Sequence, residues 1–282
     1  MSHVTELIHS TISKSDLDDQ HGLWLRGKCE EIRKANSPSG FFFSFGLWHQ
    51  QVKAESQTLA LDATDQFPEL NLIQWTASEL GRAALMTAIP VEHNEDWLWQ
   101  LVTASDINEQ IAIYKGLYLL ENAADFQRIV SEGIRTNMAS VFDAIALNNP
   151  FAKNHLDEPS WNQMVLKGIF MDRPIFHIIG LDERNNERLQ LALVDYIHER
   201  WSAHRNVNPE LWRLLAPSMD ATLFEELKAL FGRSDSLEQE FIAKAMRESN
   251  LATAKDWASE HGPETTKNWA ELGALYRSAV NA

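Results

Sequence analysis

The chain has 282 residues, 40 acidic against 25 basic side chains, a formal net charge of −15 and 44% hydrophobic residues including ten Trp. That length and apolar content suit one large domain or two modest ones and exclude a disordered chain. No basic stripe is present to displace counterions from nucleic acid, and the negative charge disfavours anionic lipid, so neither is expected as a partner.

Helical periodicity starts at once. Val4, Leu7, Ile8, Thr11 and Ile12 mark one face of a first helix, in an acidic N-terminal stretch without a charged-then-apolar leader. Leu17, His21, Trp24, Lys28 and Ile32 carry a second helix, where Lys28 is accommodated by snorkelling. Cys29, the single cysteine, forms no internal disulfide and reads as a small half-buried side chain. Ser37-Pro38 reads as a cap and first-turn proline opening a third helix that buries Phe41, Phe42, Phe45 and Trp48. The apolar run FFFSFGLW at 41–48 is too short for a membrane span, so a cytoplasmic chain without direct membrane insertion is expected.

Residues 53–72 lose the pattern and read as a long connection or broken helices. It returns at Thr76 with Leu80, Ala84 and Leu85, stops before Pro90, and continues through Trp97, Leu98, Leu101 and Val102. Ser105 is expected to cap a stripe of Ile107, Ile111, Tyr114, Leu117 and Tyr118. Phe126, Ile129 and Val130 follow, then Ile134, Met138, Val141, Phe142 and Ile145 on a helix that Asn149-Pro150 ends.

A helix carrying Trp161, Met164, Val165, Gly168 and Ile169 should start near Asp157. IFHIIGLD, after Arg173-Pro174, has strand composition but no partner run, and is assigned to extended coil or a helical turn. Leu189, Leu193, Tyr196, Ile197 and Trp201 set a long helix. Short helices then follow one another, punctuated by Asn208-Pro209, Pro217, Gly232 and Gly262-Pro263. The expected fold is all-α: an irregular array of antiparallel helix pairs, HEAT-like, forming a single domain over 1–282, with a sub-boundary near 206–209 before a HEAT-like C-terminal array.

Polar residues interrupt these stripes most densely between Glu132 and Arg205. Glu132 and Arg135, three apart, suit a surface ion pair; alternatively Arg135 clamps an anion in a cleft, with Asn137 beside it. Asn162 and Gln163 border the apolar face of WNQMVLK, and Lys167 lies one turn beyond Gln163. They line a pocket wall or satisfy backbone groups where helices meet. Asp182 or Asn185 is expected to cap the helix bearing Leu189, while Asp182 and Arg184 also stand where a helix N-terminus favours an anion. Asp195, His198 and Glu199 share a helical side, but the spacing matches neither HExxH nor the paired ExxH of di-iron bundles, so no metal is expected. Arg200 is expected in an ion-pair network. No GxSxG elbow, phosphate loop or GxGxxG occurs, and neither a catalytic residue nor a cofactor is assigned.

The ordered blocks SDINEQIAIYKGLYLL, EGIRTNM, VFDAIALNNPF, WNQMVLKGIF, GLDERNN and DYIHERW resemble the EboA-domain family over about residues 105–215. The matching positions include Arg135, Asn137, Asn162, Gln163, Lys167, Asp182, Arg184, Asp195, Glu199 and Arg200. Ser160 and Gly168 stand where the family commonly has alanine, and Ile197 departs from its DYAHERW, without removing a polar group. The resemblance implies a genomic setting more than a reaction: a cluster that makes or exports a secondary-metabolite precursor toward the periplasm. Its other products resemble a prenyltransferase, metal-dependent hydrolases and a sugar-phosphate cyclase.

The favoured expectation is a non-enzymatic helical protein binding a small polar or anionic metabolite, or presenting a surface to other proteins of that cluster. The matching residues from Arg135 to Arg200 form its candidate ligand set, with Arg135, Lys167 and Asp182 lining one cleft edged by Trp161 or Trp201. The alternatives are an enzyme using Asp195, His198 and Glu199, and a protein-binding helical scaffold over about 208–282.

Overall fold

The computed structural model describes residues 3–14, 19–52 and 58–280, so the expected place of Leu17 lies outside the described residues. The chain divides into two compact units, Met1–Ser160 and Trp161–Ala282. The division falls inside a helix at 158–170. Sixteen α-helices, six short 3₁₀ helices and two two-residue strands make up the described regular structure, so the class is all-α.

The first unit holds α1 (His3–Ser13), α2 (Asp19–Arg33), α3 (Ser39–Gln51), α4 (Ala77–Met86), α5 (Val91–Ala104), α6 (Ile107–Gly116), α7 (Gln127–Gly133), α8 (Ala139–Ala146) and α9 (Pro150–His155). Its centre is α4, in which every residue except Glu79 is buried. Small residues make that possible: a Cβ on Gly81 would lie 2.1 Å from the Trp48 ring, so only glycine lets α3 approach so closely. A capping box starts α4, with Thr76 Oγ1 accepting from Glu79 N (3.2 Å) and the Glu79 carboxylate accepting from Thr76 N (2.8 Å). Helices α1, α2, α3 and α6 all pack on α4. Arg82 is buried there because its donors are engaged by the Phe45 carbonyl (3.2 Å), Ser78 Oγ (3.3 Å) and the Glu109 carboxylate (3.6 Å).

Several local expectations are corrected in this unit. Ser37 is not the cap of α3, which begins after Pro38 without a side-chain cap. The stretch without periodicity contains β1 (Leu59–Ala60), antiparallel to β2 (Gln74–Trp75), and a 3₁₀ turn at Leu70–Leu72. Asp106, not Ser105, caps α6 in a capping box with Glu109; Ser105 Oγ donates back to the Leu101 carbonyl at 2.8 Å. Ile107 and Met138 are exposed, the latter because α7 stops at Gly133 and α8 begins only after Met138. Asn149-Pro150 starts α9: Asn149 Oδ1 accepts from Phe151 N at 3.0 Å, and proline takes the first helical position.

Helix α10 (Glu158–Phe170) starts where Asp157 Oδ1 accepts from Ser160 N at 2.8 Å. The second unit continues with α11 (Glu187–Ser202), α12 (Trp212–Leu215), α13 (Ala221–Phe231), α14 (Ser236–Glu248), α15 (Ala252–His261) and α16 (Trp269–Val280). Helix α14 buries Phe241, Ile242, Ala243, Ala245 and Met246 and packs against α12, α13, α15 and α16. IFHIIGLD forms a 3₁₀ turn at Ile175–His177. The cap of α11 is Asn186, whose Oδ1 accepts from Leu189 N at 3.0 Å, rather than Asp182 or Asn185. No helix among the described residues is long and apolar enough to cross a membrane.

Candidate ligand-binding site

In the first unit a cavity of about 630 Å³ opens where the 66–69 segment, the 120–124 turn and the end of α9 meet. That size is within the usual range for small-molecule sites. Each wall is held locally. Phe67 N donates to both Thr64 Oγ1 (3.0 Å) and the Thr64 carbonyl (3.1 Å), closing a turn that presents Pro68 and Glu69. Asn149 caps α9 and also donates through Nδ2 to the Tyr114 and Ala144 carbonyls at 3.1 and 2.8 Å, which places Lys153, Asn154 and His155. Asn122 exchanges amide hydrogen bonds with buried Asn94 at 2.6 and 3.1 Å, so the turn at the far wall is also fixed.

The central polar pair is Lys153 with Glu69: Nζ donates to Oε1 at 2.8 Å, and Asn154 Nδ2 reaches Oε2 at 3.4 Å. Both charged side chains keep contact with solvent, at 23% and 22% exposure, so neither bears the full cost of desolvation. Tyr118 is buried against Phe67, ring edge to face with centroids 5.5 Å apart. Burial first and the Glu69 charge second raise the Tyr118 hydroxyl pKa, so the phenol stays protonated near neutral pH. Burial lowers the His155 pKa, which favours the neutral imidazole that packs against Phe151 with ring centroids 5.0 Å apart. Glu69 and Glu121 therefore outweigh Lys153 by one charge. Such a lining repels an anion and offers hydroxyl groups both donors and acceptors beside an aromatic surface.

The residues singled out from the sequence fall elsewhere. In the first unit, Arg135 follows the end of α7 and pairs with Glu132 at 3.2 Å, with 66% and 52% of the two side chains exposed. Asn137 is exposed in the same turn, and neither lines the cavity. In the second unit, Asn162 and Asn186 exchange amide hydrogen bonds at 3.0 and 2.8 Å. The Arg184 guanidinium lies 4.6 Å from the centre of the Trp161 ring, which is fully buried. Asp182 receives Arg213 through both carboxylate oxygens. Lys167 is half-buried, and burial lowers its pKa.

Gln163, Asp195 and Glu199 are exposed. Among the described residues Arg200 enters no ion-pair network; it donates to the Asn206 carbonyl from Nε (2.9 Å) and Nη2 (2.6 Å). His198 faces Glu226 at 3.1 Å, and among the described residues no three His, Cys, Asp or Glu side chains converge as metal ligands. The sequence reading missed Glu69, Tyr118, Lys153 and His155 as site residues. The available signal was weak: a carboxylate in the aperiodic stretch, and a proline-started helix rich in polar groups at 150–155.

A family model described as metabolite traffic protein EboA matches residues 4–216. The chain belongs to the EboA family. No curated protein and no solved structure matches it. The EboA match begins a hundred residues earlier than the blocks between 105 and 215 indicated, and it contains the whole Glu69–Lys153 cavity. Helices α13 to α16 lie beyond it.

Proposed function

We propose that this EboA-family protein is a binding protein for a small, neutral, polyhydroxylated metabolite, held in the cavity around Glu69, Tyr118 and Lys153. In this reading it receives and releases its ligand within a secondary-metabolite precursor pathway, in concert with other products of the same gene cluster, and transforms nothing itself. The observation that carries the reading is the cavity's mixed lining: a solvent-contacting Lys–Glu pair 2.8 Å apart, a protonated phenol and a net negative charge. Hydroxyl groups can hydrogen-bond to Glu69, Tyr118 and Lys153, and Phe67 and Tyr118 add apolar lining for the carbon skeleton. The family description, metabolite traffic, supports carriage over catalysis.

Isothermal titration of the full chain with myo-inositol and glucose, against gluconate as the anionic counterpart, tests this. Saturable binding of a neutral polyol that weakens at least tenfold in both Tyr118→Phe and Lys153→Met supports the site. Preferential binding of gluconate, or neutral binding indifferent to both substitutions, removes it.

A second reading keeps Lys167 as a contact for an anionic group. Its half-buried ammonium has no ion pair or hydrogen bond among the described residues, and burial already weakens its hold on the proton. Retention of full gluconate binding by Lys167→Met would exclude that reading.

A further inference from the structure

The second unit contains a smaller hollow, about 210 Å³, where α11 and α13 both end. Helix α11 leaves its last turn through His204, whose φ of 55° is left-handed. Arg205 N donates to the Arg200 carbonyl at 2.9 Å, and the Arg200 guanidinium grips the Asn206 carbonyl from two nitrogens. This double hold fixes the path of the returning chain and so the root of the Arg205 side chain. On the other wall, Arg233 follows Gly232, the C-cap of α13, with its N donating to the Leu230 carbonyl at 3.0 Å. Glu238 enters from the first turn of α14, and Trp201 supplies an aromatic wall.

His204, Arg205 and Arg233 thus line one space, with Glu238 as its single carboxylate. Other arginines of this unit are engaged by the fold: Arg213 by Asp182, Arg247 by the carbonyls of Ala258, Gly262 and Pro263, and Arg277 by Glu210 and Asp172. The Arg205 and Arg233 guanidinium groups make no hydrogen bond or ion pair among the described residues. Cations near helix C-termini are favourable because they oppose the negative end of the dipole. That explains charge at either helix end, but not two arginines from different helices lining one hollow beside a clamped turn.

The geometry points to a phosphate-binding site at Arg205 and Arg233, taking the phosphate group of a small molecule whose carbon skeleton lies against Trp201. Two planar forks suit the oxygens of one phosphate better than a lone ammonium would, and a local positive charge in a chain of net charge −15 concentrates an anion at this place. Glu238 opposes the charge; burial raises its pKa against the pull of the Ser234 hydrogen bond and the Arg233 charge. The volume limits the ligand to phosphate with a few carbon atoms. Leu230, Arg233 and Glu238 lie beyond the family match, so one of the two arginines and the carboxylate belong to the chain's C-terminal helices rather than to the EboA segment. The site is in the other unit from the polyol cavity and does not rest on it.

The test is calorimetric titration of the full chain with inorganic phosphate and with glycerol phosphate, in chloride buffer at constant ionic strength. Saturable binding is expected, with a dissociation constant on the order of 1 mM or tighter. Arg205→Gln and Arg233→Gln should each weaken it at least tenfold, Glu238→Gln should tighten it several-fold, and Arg135→Ala should leave it unchanged. Tighter binding of glycerol phosphate than of inorganic phosphate supports the carbon skeleton's place on Trp201. Absence of saturable heat, or equal binding by wild type and both arginine variants with unchanged circular dichroism, overturns the proposal. Should either arginine variant fail to fold, Glu238→Gln decides alone: unchanged or weaker phosphate binding in that folded variant also overturns it.

Discussion

The Lys153–Glu69 and Arg277–Glu210 pairs have nearly the same length, 2.8 and 2.9 Å, and opposite surroundings. Glu210 is 3% exposed; beside its pair with Arg277, its other oxygen accepts from Phe176 N at 3.1 Å. Arg277 in turn donates to the Asp172 and Arg173 carbonyls at 2.8 and 2.7 Å. The space beside this carboxylate, walled by Phe176, Phe241 and Trp269, has no room for a water. Burial raises the Glu210 pKa, and the Arg277 charge opposes that most strongly. The Lys153–Glu69 pair, by contrast, sits half-exposed in an open cavity. A saturated, closed ion pair serves the fold, whereas an open one keeps hydrogen-bonding capacity for something else.

The contrast breaks hardest at Arg277. Arg277→Ala strands a buried carboxylate, and about 3–5 kcal/mol should be lost in chemical denaturation of the second unit. A loss below about 1 kcal/mol would mean that water reaches Glu210. His9 sharpens the comparison as a buried group: among the described residues neither ring nitrogen has a hydrogen-bond partner, and burial, helped by Arg26 and Arg33, lowers its pKa from 6.5 to about 4. The folded chain therefore binds this proton more weakly than the unfolded one. The stability attached to a neutral His9 is whole above pH 6.5, declines as pH falls, and is gone near 4; the full span is about 3 kcal/mol. Denaturation curves of wild type and His9→Gln, compared at pH 7 and 4.5, should converge at the lower pH.

Lys153→Met should cost under about 1 kcal/mol, because a half-exposed pair has little net worth. The same variant should lose polyol binding, so a thermal melt beside a titration separates the two roles. Arg135→Ala should have the smallest effect of all, a melting temperature within a few degrees of wild type, since its partner Glu132 is exposed as well. A large loss of folded protein would identify Arg135 as a structural residue and sink any binding role for it.

How much of this was legible depended on the range of the interactions. The apolar spacing that returns at Thr76 marks a helix there, and in the structure a capping box of Thr76 and Glu79 starts it. Asp157, the buried stripe of α10, and the helical turn at 175–177 were equally local. Where two capping residues stand side by side, as Ser105 and Asp106 do, the choice fell to the chain direction leaving α5, and Asp106 took it. Met138 and Ile107 continued a helical stripe on paper but ended exposed, because breaks in the helices turned them away from the core.

The all-α class and the EboA membership were determined by the sequence alone, since repeated apolar spacing and ordered motif blocks are properties of neighbouring residues. The candidate sites were decided only by tertiary structure. Glu69 and Lys153 are 84 positions apart, and Arg205 and Arg233 line one hollow only because two helices end there. No local period encodes such meetings: they follow from where the packing of α4 and α14 leaves space, and space is a property of the assembled chain.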